Sequence, residues 1–134
     1  MSYKTVITRL FYMLIYADGQ INEKEVQTAK QMIREEGISE PEFNTEVEFL
    51  KTKEKSKLFN ETIIALKHLD RIQQIRIVAW LCVVANADGF MDRTEWQLIY
   101  QIYHKELALP LNEIFSVQKE LTKLIWEKRS ITIL

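Results

Sequence analysis

Two short stretches of this chain arrange carboxylates around a glycine with the same spacing. Ala17-Asp18-Gly19-Gln20-Ile21-Asn22-Glu23-Lys24-Glu25 returns seventy residues later as Ala87-Asp88-Gly89-Phe90-Met91-Asp92-Arg93-Thr94-Glu95, and two of the chain's three glycines stand at the same place in it. Aspartate, glycine and a later glutamate in this order also make the second half of an EF-hand calcium loop, where the acids are oxygen ligands and glycine allows the sharp turn. The first half of such a loop is missing. Four and two residues before the aspartate stand Leu14 and Tyr16 in the first copy, Val84 and Asn86 in the second, which excludes a complete loop in the first and disfavours it in the second. Each turn alone offers too few oxygens for an ion, but two turns facing each other could pool Asp18, Glu25, Asp88, Asp92 and Glu95. These are hard donors, suited to calcium, magnesium or manganese rather than zinc or copper. No His or Cys lies within either motif, and nothing points to an organic cofactor.

The same residues have a simpler use. A glycine in the left-handed conformation ends one helix and a short polar side chain caps the next, so Gly19 and Gly89 can terminate while Asn22 and Asp92 cap. Glu25 and Glu95, three residues on, can complete capping boxes and complement the positive end of the helix dipole. Ile21 and Met91 can pack beneath as hydrophobic staples. Asp18 and Asp88 are left over, because an acid at a helix C-terminus faces partial negative charge. That surplus keeps the cation reading open beside the capping one. Whether the two turns meet or lie at opposite ends is not decided by spacing.

Elements that would carry these turns follow from apolar spacing near 3.6, with two prolines and no alternating strand pattern before the last five residues. The chain reads as all-α, a compact bundle of about seven helices with an internal duplication of a helix–turn–helix unit. The first helix is expected over Lys4 to Tyr16. The second is capped by Asn22, turns Val26, Ala29, Met32 and Ile33 inward, and ends at Gly37. Ser39, Pro41 and Glu42 open the third, to about Lys51. A charged turn leads to a fourth over Lys55 to Leu69. Asp70 and Gln73 open a fifth, apolar on nearly every side from Ile72 to Ala85 and so central. Asp92 caps a sixth with Trp96, Ile99, Ile102 and Tyr103 inward. A last helix spans about Leu111 to Lys128 with Ile114, Phe115, Leu121, Leu124 and Ile125 inward, and residues 130–134 are left unassigned.

Composition narrows the functional classes. At 134 residues, with 18 basic against 19 acidic side chains, the chain fits one globular domain, residues 1–134, with no basic footprint for nucleic acid. No apolar run reaches the roughly 20 residues of a membrane span, and the N-terminus lacks a signal-peptide pattern, so a cytoplasmic location without membrane insertion is expected. Cys82, the single cysteine, lies in an apolar run and reads as a core side chain. His68 and His104 stand near helix C-termini, where imidazolium complements the dipole; neither has a nucleophile motif, and no enzymatic activity is expected. Trp80, Trp96 and Trp126 read as core. The six glutamates between residues 35 and 48, and the four lysines between 51 and 57, read as solvent-facing runs that could orient a protein partner.

The segments Leu14 to Glu25 and Val84 to Glu95, in this order within a helical chain of this length, resemble the TerB-like family of tellurite-resistance proteins, which includes the N-terminal domain of a membrane-anchored DnaJ-type co-chaperone. The resemblance implies a seven-helix duplicated fold, no established enzymatic activity, and metal binding through Asp18, Glu25, Asp88 and Glu95. Asn22 in place of a carboxylate, and Arg93 where an acid could stand, make the two halves unequal. The co-chaperone's His-Pro-Asp motif and membrane anchor are absent. A non-enzymatic, cation-binding role in stress response or as a scaffold follows as the expectation, with a pure protein-interaction module as its rival.

Overall fold

Apolar residues at helical spacing, separated by strong cap signals, give seven α-helices and no strand among the described residues: α1 (Tyr3–Ile15), α2 (Glu23–Glu35), α3 (Glu40–Leu50), α4 (Lys55–Lys67), α5 (Arg71–Ala85), α6 (Arg93–Tyr100) and α7 (Leu111–Ile133). The computed structural model describes residues 1–16, 23–87, 89 and 92–133, with side chains up to residue 127. Among these no helix is long and apolar enough to cross a membrane.

The caps explain the boundaries. Ser39 accepts from Glu42 N while Glu42 returns a bond to Ser39 N, and Asp70 and Gln73 make the same reciprocal box. Gly37 ends α2 at φ +73°, with Gly37 N bonding Arg34 O and Ile38 N bonding Ile33 O, the paired closure that a left-handed residue permits. Residues 51–54 are an exposed turn. His68 closes α4, its Nδ1 2.8 Å from Ile64 O. Residues 130–133, unassigned from sequence, continue α7.

α5 is the centre. From Ile77 to Ala85 every side chain is buried, and α1, α2, α6 and α7 pack around it. Ile72, expected at the start of this apolar stretch, is 80% exposed. α1 also packs on α3, α4 and α6, burying Val6, Ile7, Leu10, Phe11 and Leu14.

Three aromatic placements differ from the sequence expectation. On α7 the buried stripe is Ile114, Leu121 and Ile125. Phe115 and Trp126 each stand one residue beyond a stripe member, about 100° round the helix, and are 46% and 63% exposed. Trp96 is likewise turned outward at 37%. A second difference follows α6, where Gln101–Glu106 widens into a π-helical turn. Leu107 N bonds Ile102 O and Leu109 N reaches Tyr103 O at 2.8 Å, with Ala108 left-handed at φ 51°. In that turn Tyr100 stacks on His104, ring centroids 4.8 Å apart.

Candidate functional site

α2 and α6 begin directly after the two repeated turns, and each places its glutamate at the third helical position, Glu25 and Glu95. Both are buried, at 8% and 3% exposure. Position alone does not require this. The equivalent residues of α3 and α5, which complete reciprocal capping boxes, are Glu42, exposed, and Gln73, half-buried. In α2 and α6 the acid faces inward and the following apolar residue does not: Val26 is half-buried beside Glu25, and Trp96 is exposed beside Glu95. Glu25 continues into the buried face at Ala29 and Met32, and Glu95 into Ile99 and Ile102, at the i, i+4, i+7 spacing of one helix face. A buried carboxylate loses its hydration and is retained where charge or hydrogen bonds compensate it.

The residues flanking the two turns line shared cavities crosswise. Lys24 and Thr28, in the first two turns of α2, line a cavity of about 480 Å³ with Ala87, which follows α5. Tyr16, which ends α1, lines a separate cleft with Thr94 at the start of α6. The entry to each turn therefore lies near the exit from the other, at one end of the bundle.

Of the five acids expected to hold an ion, three can be placed. Asp92 caps α6, its carboxylate accepting from Thr94 N at 2.9 Å, and Glu25 and Glu95 stand as above. Asp18 and Asp88 lie outside the described residues, as do Gly19 and Asn22. Gly89 is left-handed at φ +84°, the conformation expected of a helix terminator. Among the described residues no three acidic, imidazole or thiol side chains are grouped closely enough to hold a metal ion. The described donors are all oxygen, which fits calcium, magnesium or manganese, and the two remaining aspartates would have to supply the rest of the shell.

A second polar centre was not legible in the sequence. Glu36, expected among the solvent-facing acids, has a side chain only 8% exposed. Its Oε1 accepts from Arg76 Nε at 2.6 Å and from the Trp80 indole at 2.5 Å. Burial pushes the neighbouring Tyr3 hydroxyl well above the usual tyrosine range, reinforced by the Glu36 charge. Glu46 also departs from the solvent-facing reading and binds Arg9 at 2.9 Å. The only sequence signal was a buried tryptophan needing an acceptor for its N–H. Cys82 has no activating partner among the described residues, and burial pushes its thiol up to about 12, the reverse of what a nucleophile needs.

No curated protein and no solved structure matches the chain. The family model described as tellurite resistance protein TerB matches residues 4–114, a span that includes both Asp-Gly turns, both buried glutamates and the whole of α5. The chain belongs to the TerB family.

Proposed function

We propose that this protein is a non-catalytic TerB-type domain, one unit over residues 1–134, that binds a hard divalent cation between its two Asp-Gly turns and serves in a stress response, tellurite resistance included, or as a scaffold in the cytoplasm. The observation that carries the reading is the matched burial of Glu25 and Glu95 at one end of the bundle. Both present carboxylate oxygen, the hard donor such an ion takes, and Asp18 and Asp88 would add two more carboxylates within the same motifs. The matched stations also support an internal duplication of the helix–turn–helix unit. Cys82 is a buried thiol raised by that burial, and the two histidines serve at a helix end and in a ring stack.

The test is thermal. Chelator-treated protein is melted with and without millimolar calcium, magnesium or manganese. An ion that binds only the folded state stabilises by RT ln(1 + [L]/Kd), roughly 2.7 kcal/mol at a hundred times Kd. A midpoint that no cation moves defeats the proposal. Paired Asp18→Asn and Asp88→Asn substitutions should abolish the ion response while leaving the helical content intact.

The rival is a protein-interaction module in which the motifs only cap helices. Asp92, whose carboxylate is used in capping Thr94 N, favours it in the second copy. On that reading the paired Asn variants gain stability and no ion has an effect.

A further inference from the structure

The cleft between α1, α4 and α6 carries chemistry that the cation reading does not use. It encloses about 310 Å³, at the lower end of the roughly 300–1,000 Å³ typical of small-molecule sites. Its floor is apolar: Leu58 is buried, and Met13, Phe59 and Leu98 are half-buried against it. Tyr12 and Tyr16 form one wall, ring centroids 4.9 Å apart and tilted by 41°. Gln97 and Gln101 line the α6 side.

Charge identifies the class of occupant. Among the described residues no acid lines this cleft and one cation, Lys55, does, although acids outnumber bases in the chain, 19 to 18. Two other cavities are lined by Glu23 and by Glu42 and Glu46. Lys51, the other cation near Tyr12 and Tyr16, is held by Glu48 at 3.0 Å, whereas Lys55 forms no ion pair among the described residues. An apolar floor, an aromatic wall and a single unneutralised ammonium complement a molecule with an apolar body and one anionic head.

We propose that this cleft binds a small amphipathic anion, its apolar body against Leu58, Phe59 and Leu98 and its carboxylate or sulfonate toward Lys55.

Anilinonaphthalenesulfonate, an aromatic body with one sulfonate, is the probe, titrated into the intact chain under native conditions. Saturable one-to-one fluorescence is expected, displaced by decanoate and not by decyltrimethylammonium. Leu98→Glu, which puts an acid on the floor, should weaken binding by at least about tenfold through loss of apolar contact and charge repulsion. Lys55→Gln, at an exposed position, should weaken it about threefold, the scale of an exposed ion pair. Trp126→Ser, on exposed α7 surface, should bind as the parent does. Near-UV dichroism checks each fold; if Leu98→Glu does not fold, Lys55→Gln with the decanoate competition decides. Unsaturable binding, equal displacement by the cationic amphiphile, or parental affinity in the folded cleft variants overturns the proposal.

Discussion

Glu25 and Glu95 hold equivalent stations. Each is the third residue of its helix, each is buried, and each is followed by an apolar side chain more exposed than the acid. Replacing either by Gln keeps the shape and removes the charge. In chelator, Glu25→Gln and Glu95→Gln, which keep the side chain's shape and much of its hydrogen-bonding capacity, should change stability by no more than about 1 kcal/mol. With the cation that stabilises the parent, the double variant should show no shift. A shift of parental size in the folded double variant would show that these carboxylates are not ligands.

Arg76 and Glu36 tie α5 to the end of α2, and the Trp80 indole shares the same oxygen. Arg76→Met strips the counter-charge from a carboxylate with little access to water. The cost should be roughly 2 kcal/mol, below the 3–5 of a fully buried pair because the Arg76 side chain is 38% exposed. Trp80→Phe removes one hydrogen bond and leaves a small cavity, at a similar cost. The double variant should lose less than the sum, since both act on one acceptor. Urea unfolding of the three proteins measures this.

Alkaline pH should destabilise the fold. Burial raises the Cys82 thiol from 9.0 to about 12, so above pH 9 the unfolded chain releases a proton that the folded chain keeps. The contribution is complete below pH 9 and is lost as pH rises toward 12, at up to about 1.36 kcal/mol per pH unit. Tyr3, also raised by burial, adds a loss of the same sign above the usual tyrosine range. Cys82→Ala should therefore show a shallower decline between pH 9 and 10, read by denaturant midpoints.

Gly89 tests the backbone of the second turn apart from its chemistry. It is left-handed at φ +84°, and a Cβ there would meet nothing within 4 Å. Gly89→Ala should cost about 1 kcal/mol from conformation alone. Gly89→Asn, which tolerates this region, should cost less. Equal losses in thermal melts would contradict a purely conformational role.

Much of the fold was legible because its punctuation is chemical. Ser39 with Glu42 and Asp70 with Gln73 announced α3 and α5, and both boxes form. The inward faces were harder. Pattern reading assigns apolar residues to the core and acids to water, so Val26 and Trp96 were placed inward where Glu25 and Glu95 share that face. On α7, neighbouring apolar pairs at 114–115 and 125–126 left the period unable to choose which member faces α5. The π-helical turn carries no Gly or Pro to announce it. Glu36 was hidden because a run of acids gives no sign that one of them receives an indole and a guanidinium. Of the candidate site, spacing alone identified the acids, while their burial and crosswise flanks needed tertiary contacts.

The encirclement of α5 has a consequence for synthesis. α1 and α2 are made before residues 71–85 exist, and their apolar faces are completed by that helix. The leading half of the chain therefore leaves the ribosome with Val6, Leu10, Met32 and Ile33 still lacking part of their cover, and closure of the core waits on a helix from the middle of the sequence. Aggregation during expression should fall when α5 emerges promptly, which makes translation speed between residues 50 and 85 a determinant of yield.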